Sequence, residues 1–197
     1  MKLVFATHNA GKIIEMRAML ADLGFEVISA DEAGVKEDVV EDGTTFEDNA
    51  LKKARFVAEK SKEWAVADDS GVCIEALDGQ PGVNTARWAG DKVGDDGLIR
   101  HTLEVMKEIP ESKRQAYFES CVAVVSPTGE EHTFSGQIHG RLALAPVGTP
   151  RPKLPYDLIF IPNGHDRSFA QMSDQEKNSL SHRGLAFAKL KEFLKTI

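Results

Sequence analysis

Hydrophobic positions along the chain switch between helical and strand spacing, and the switches mark the predicted elements. The short apolar run Leu3 to Ala6 predicts a buried strand that leads into Thr7-His8-Asn9-Ala10-Gly11-Lys12. Ile13, Met16, Leu20 and Leu23 then recur at helical spacing, and Gly24 supplies a stop. Glu26 to Ala30 predicts a second strand. After the acidic stretch Lys36 to Gly43, Thr44 or Thr45 can cap a helix, since each has an acid three residues on, Glu47 or Asp48. Phe46, Ala50, Ala54 and Val57 give that helix its apolar face. Ala65-Val66-Ala67 predicts a strand running into Asp68-Asp69-Ser70-Gly71, with extended structure resumed from Val72 to Leu77.

Further along, a loop with Pro81, Gly82 and Gly90 precedes a helix with Leu98, Ile99, Leu103 and Met106 on one side. Ala116 to Val125 and His132 to Gly140 predict a β-hairpin around Pro127-Thr128-Gly129. Leu158 to Ile161 predicts another strand. Ser173 with Glu176 caps the closing helical region, whose Phe187, Leu190, Leu194 and Ile197 are expected to face inward. Alternating strands and helices with a β-rich middle imply an α/β fold with a mixed sheet.

Composition narrows this. With 197 residues, 42% hydrophobic and 28% charged, the chain suits a single domain over 1–197 with a core large enough to fold alone. Met1 to Ala6 is too short an apolar run for a signal peptide, and no later run approaches the roughly 20 residues of a membrane helix. The expected location is cytoplasmic, with no membrane partner. A net charge of −7 and a pI near 5.4 argue against a nucleic-acid partner, which needs basic surface. They leave room for a small polyanion held by a local basic cluster. Cys73 and Cys121 fall in apolar, strand-like runs and are expected buried and reduced.

Three clusters could carry chemistry. At Thr7 to Lys12 a strand turns into a helix, whose start offers unpaired N–H groups and the positive end of its dipole to a phosphate. Lys12 adds a full charge there. Ile13 after Gly11-Lys12 excludes a Walker A loop, and by itself the segment reads equally as an ordinary turn. At Asp68-Asp69, adjacent carboxylates repel unless a positive group lies nearby. Magnesium would satisfy them, because it takes one or two carboxylates together with waters and substrate phosphates, and Glu41 or Asp42 could add a ligand. The competing reading is a solvated turn. The third cluster is Lys177, His182 and Arg183, which could grip phosphate or a base edge or simply form a solvated helix face. His8, His101, His132, His139 and His165 show no metal-ligand spacing, so zinc is not expected. No Gly-x-Ser-x-Gly elbow points to a serine hydrolase.

Together these pieces resemble the inosine/xanthosine triphosphate pyrophosphatase family, the Ham1-like proteins. The resemblance runs from Thr7-His8-Asn9-Ala10-Gly11-Lys12-Ile13-Ile14-Glu15 through Phe46-Glu47-Asp48-Asn49-Ala50 and Ala67-Asp68-Asp69-Ser70-Gly71 to Pro81-Gly82-Val83-Asn84-Thr85-Ala86-Arg87. It closes with Glu176-Lys177-Asn178-Ser179-Leu180-Ser181-His182-Arg183-Gly184. It implies an elongated α/β protein with a mixed sheet, flanking helices and two lobes around a nucleotide cleft, assembled as a homodimer. It also implies hydrolysis of non-standard purine nucleoside triphosphates (ITP, dITP, XTP) to monophosphate and pyrophosphate, with Mg2+ as cofactor. Thr7, His8, Asn9, Ala10, Gly11 and Lys12 would hold the triphosphate, Lys12 acting in catalysis as its main charge contact. Glu41 and Asp69 would bind the metal, and Asp69 would take the proton of the attacking water. Ser70 would touch substrate; Lys177, His182 and Arg183 would complete the phosphate and base pocket; Glu15 would orient Lys12 or the metal's waters.

One stretch departs from the family pattern. Where Gly-Gly-Phe-Gly-Tyr-Asp-Pro-Ile-Phe is usual, this chain has Lys153-Leu154-Pro155-Tyr156-Asp157-Leu158-Ile159-Phe160 after Arg151-Pro152. Tyr156 and Asp157 stand where the substrate-binding loop expects them. Leu154 replaces the aromatic that would stack on the base, and Pro155 replaces a glycine. Such stacking contributes about 1–3 kcal/mol in nucleic-acid binders. Base preference is therefore less defined than the chemistry, and a different base preference or a weakly catalytic nucleotide-binding module are the alternatives.

Overall fold

Strand β1 (Lys2–Phe5) lies between β2 (Glu26–Ser29) and β3 (Trp64–Ile74), parallel to both, with Phe5 opposite Ser29 on one side and Val66 on the other. Burial of Leu3, Val4 and Phe5 explains their unbroken apolar run, since a parallel strand covered on both faces has no polar side. This computed structural model describes residues 1–7, 10–90 and 92–197, and of Ala10, Gly11 and Glu15 the backbone alone. The expectations for His8 and Asn9, and for the side chains of Ala10, Gly11 and Glu15, lie outside the described residues.

Helix α1 (Ala10–Leu20) follows β1 and buries Ile13, Met16 and Leu20, and the chain leaves its last turn at Gly24, whose φ of +72° suits glycine. Helix α2 (Phe46–Ser61) starts where expected: the Thr45 hydroxyl accepts from the Asp48 N–H at 3.0 Å. After β3 come α3 (Asp95–Val105), β4 (Gln115–Val125), β5 (Glu131–Leu142), the short β6 (Phe160–Pro162), α4 (Asp174–Leu180) and α5 (His182–Leu194). Among the described residues the sheet has six strands in the order β2-β1-β3-β4-β5-β6, with β5 and β6 antiparallel. This is the mixed sheet of an α/β fold. No helix among the described residues is long and apolar enough to cross a membrane.

The chain forms two compact units, and it passes between them within β3, β4, β5 and α5. The first comprises Met1–Asp69, Ser120–Ser135 and Ala186–Ile197. Leu3, Phe5, Met16 and Leu20 pack in its core with Val122, Phe187, Leu190 and Leu194. The second comprises Ser70–Glu119 and Gly136–Leu185, with a core around Ile74, Met106, Phe118, Tyr156, Phe160 and Phe169. Each such side chain withdrawn from water contributes about 1.5–3 kcal/mol.

Four local expectations need correction. β3 is continuous through Asp68-Asp69-Ser70-Gly71, inside a sheet where it lies between β1 and β4. It ends at Ile74, and Glu75–Leu77 forms a 3-10 turn. Leu158 belongs to a 3-10 turn over Pro155–Leu158, started by a proline whose fixed φ suits that position, and the strand begins only at Phe160. Ile197 is exposed, since α5 has already ended at Leu194. Cys73 and Cys121 are free thiols and buried.

Candidate active site

In the first unit, parallel pairing of β1 with β3 brings the end of β1 beside the acidic part of β3, and Ala6 N–H donates to the Val66 carbonyl at 2.7 Å. Thr7, just past the end of β1, and Asp68 on β3 line a cavity of about 190 Å3. Lys12 from α1 reaches into it, with its Nζ 2.9 Å from Asp68 Oδ1. The acidic segment before α2 contributes Glu37, Asp38 and Glu41, and α2 contributes Lys53.

Two residues of α2 organise Asp69. Asn49, fully buried, donates from Nδ2 to Asp69 Oδ2 at 3.0 Å and accepts at Oδ1 from the Gly43 N–H at 2.8 Å. Gly43 must be glycine for this, since a Cβ there would come within 2.6 Å of Asn49 Oδ1. Lys53 Nζ lies 3.2 Å from Glu41 Oε1 and 3.7 Å from Asp69 Oδ1, so one ammonium faces both predicted metal ligands. Asp42, the other acid considered, instead pairs with Lys52. Burial pushes the Asp69 carboxyl above the usual carboxylate range. Lys53 and Asn49 pull it back, while Glu41 and Asp68 push it further up.

The donor set fits a hard divalent cation. Glu41 and Asp69 present oxygen ligands, and Lys53 already stands as a positive charge between them. Among the described residues no three His, Cys, Asp or Glu side chains converge as a cage. A metal here would complete its shell with waters and substrate oxygens, as magnesium does.

In the second unit, Lys177 on α4 is buried and its Nζ lies 2.5 Å from Asp157 Oδ2. Burial lowers its pKa; Asp157 opposes this, and Arg183 and Arg151 add to it. His182 stacks on Phe118 with ring centroids 4.6 Å apart and planes 9° from parallel. Arg183 Nη2 donates to Ser70 Oγ at 3.3 Å. The joint between α4 and α5 that places these two residues is tight. Ser181 Oγ accepts from the Gly184 N–H, and a Cβ on Gly184 would meet the Asn178 carbonyl at 1.8 Å. Leu154 and Pro155 are half-buried in the preceding loop. The Tyr156 hydroxyl meets Thr102 Oγ1 at 3.1 Å inside the core, where burial pushes its pKa up to about 12 and keeps it neutral.

The structure thus groups Thr7, Lys12, Glu41 and Asp69 in the first unit, and Ser70, Asp157, Lys177, His182 and Arg183 in the second. Sequence reading missed Asn49, Lys53, Phe118 and Arg151. For Asn49 and Lys53 a signal existed: both are polar residues on the apolar stripe Phe46, Ala50, Ala54, Val57 of α2.

Comparison with known proteins bears on this geometry. The profile of the Ham1 family matches residues 3–193. A dITP/XTP pyrophosphatase of Streptomyces coelicolor is 43% identical over 191 residues, covering 96% of this chain and 94% of its own. One from Porphyromonas gingivalis is 41% identical over 193 residues, covering 98% and 97%. The structure of a HAM1 protein from Coxiella burnetii superposes with a TM-score of 0.92 at 35% identity, over the whole of both chains.

Proposed function

Because the chain belongs to the Ham1 family, we propose that it hydrolyses non-standard purine nucleoside triphosphates, dITP and XTP among them, to the monophosphate and pyrophosphate. The observation that carries this reading is the placing of Asp69, held by the buried Asn49 and facing Glu41 across the Lys53 ammonium. A carboxylate fixed in this way can take a proton from a neighbouring water, and the acidic pair beside the ammonium suits a cation.

In this reading water attacks the α-phosphorus, a P–O bond to water forms, and the α–β anhydride bond breaks. Asp69 takes the water's proton and later returns it to solvent. Lys12 and Lys53 neutralise charge that grows on the leaving pyrophosphate. Glu41 and Asp69 would hold Mg2+, which lowers the pKa of bound water and offsets phosphate charge. Lys177, His182 and Arg183, with Ser70 and the Leu154 to Asp157 loop, would read the base. Soluble cytoplasmic homodimers are the expected form, which light scattering checks.

Pyrophosphate release over a panel of nucleoside triphosphates, with and without Mg2+, tests the proposal. Metal-dependent release from ITP and XTP well above that from ATP and GTP is the expected result. Faster turnover of a pyrimidine triphosphate would shift the base assignment, which the Leu154 and Pro155 replacements leave open to change. Binding without turnover of any triphosphate would overturn it.

A further inference from the structure

In the second unit two cations share one carboxylate. Asp157 Oδ2 accepts from Lys177 Nζ at 2.5 Å and from Arg151 Nη1 at 3.3 Å. Arg151 is braced from behind: Nη1 also donates to the Phe169 carbonyl at 2.7 Å, and Nη2 to the Met172 carbonyl at 2.5 Å. Its remaining partner, Asp174, lies 3.1 Å away with a side chain 84% exposed, so water screens that contact. The Lys177 and Asp157 side chains are 9% and 5% exposed. The buried Asp157 carboxylate is thus shared by two cations, the buried Lys177 and the half-buried Arg151.

That excess has a direction of use. With only Asp157 for company, Lys177 would close into a neutral pair, its charge spent on the carboxylate. A guanidinium drawing on the same oxygen leaves the ammonium under-compensated and in need of another acceptor. A purine 6-oxo group supplies one, whereas a 6-amino group presents N–H to a cation and leaves a buried donor unmet.

We propose that Arg151 is a positioning residue which, by drawing on the shared Asp157 carboxylate, leaves Lys177 N–H donors directed to a second acceptor and so sets the preference for 6-oxo over 6-amino purines. The inference rests on the reading of Lys177 as a base contact. It gives Arg151 a role in selectivity without contact with substrate.

The test compares kcat/KM for ITP and ATP in the wild type, Arg151→Gln and Arg151→Lys, with Tm as the measure of folding. Arg151→Gln is expected to cut the ITP-to-ATP ratio by about tenfold, through a higher KM for ITP at little-changed kcat. Arg151→Lys keeps the charge but cannot brace both carbonyls, so it should lower Tm yet hold the ratio within about threefold. In a Lys177→Met background, Arg151→Gln should move the ratio no further. An unchanged ratio in Arg151→Gln overturns the inference, as does a ratio lost in Arg151→Lys. Should Arg151→Gln not fold at the assay temperature, Arg151→Met measured below its Tm must show the same tenfold fall, and an unchanged ratio there overturns the inference. If the wild type hydrolyses neither triphosphate, the pyrophosphatase reading fails separately. Calorimetric binding of inosine and adenosine monophosphates then applies the same criterion.

Discussion

Lysine–carboxylate pairs occur in both units, with opposite balances of charge. Around Lys12 and Lys53 the acids outnumber the cations, with Glu41, Asp68 and Asp69 in direct contact and Glu37 and Asp38 lining the same cavity. Around Asp157 the cations outnumber the acid. An acidic surplus is relieved by a cation, and a cationic surplus by an acceptor. Under the proposed function the first would take a metal and phosphate, and the second an oxygen-rich base. Ion pairs of one chemical type thus serve two purposes according to which charge is left over.

The largest expected effect comes from breaking the acidic side. Asp69→Asn should lower turnover on the order of 10³-fold, as loss of a positioned general base does. The same change should not destabilise the fold. Folding raises the Asp69 pKa, so the folded chain binds that proton more tightly than the unfolded one. The charged form therefore costs stability above the ordinary carboxylate range, and the cost is relieved as pH falls through the raised value. The amide removes that cost at neutral pH and can still accept from Asn49. Steady-state pyrophosphate release and thermal melts at pH 7 check both halves, and near-wild-type turnover would remove Asp69 from the mechanism.

A smaller effect, and a sharper one, is expected at Lys53. Its ammonium is the foremost influence holding the Asp69 pKa down. In Lys53→Met that influence goes, leaving Asn49 to oppose burial, Glu41 and Asp68. The acid limb of kcat/KM should move to higher pH, beside a loss of about 10- to 100-fold from weaker phosphate neutralisation. A rate loss with an unmoved acid limb would mean that Lys53 touches the phosphates without tuning Asp69.

Lys53 also shows why part of the site was legible in sequence and part was not. Caps, stops and periodic faces are local, and Thr45, Gly24 and the stripe of α2 appear as read. Asp68-Asp69 and Thr7 to Lys12 stand out by local chemistry. Pairing between distant segments is another matter. Lys12 reaches Asp68 only through the register of β1 on β3, and Arg151 reaches Asp157 only through a loop fold that the Pro155 turn imposes. Phe118 carried no signal at all, since a phenylalanine in a β4 run reads as core whether or not His182 stacks on it. The strand expected at Leu158 failed because a proline-started turn outranked an apolar run.

The smallest expected effect lies on the cationic side, at Leu154. This half-buried residue precedes Pro155 in the base-side loop, its carbonyl accepting from the Asp157 N–H at 3.2 Å. In Leu154→Phe a ring would stand where the family pattern has one, offering its face to any purine. Stacking is worth about 1–3 kcal/mol and is nearly indifferent to the group at position 6, because every purine has the same π face. Edge contacts discriminate instead: Lys177, with Arg151 drawing on Asp157, needs an acceptor and is left with an unmet donor opposite an amino group, at about 1–3 kcal/mol. Leu154→Phe should therefore lower KM for ITP and ATP alike while leaving their kcat/KM ratio close to that of the wild type. Parallel kinetics on the two substrates measure it. A ratio shifted by more than about tenfold, roughly 1.4 kcal/mol, would mean that the loop's aromatic position, and not the charge surplus around Asp157, selects the base.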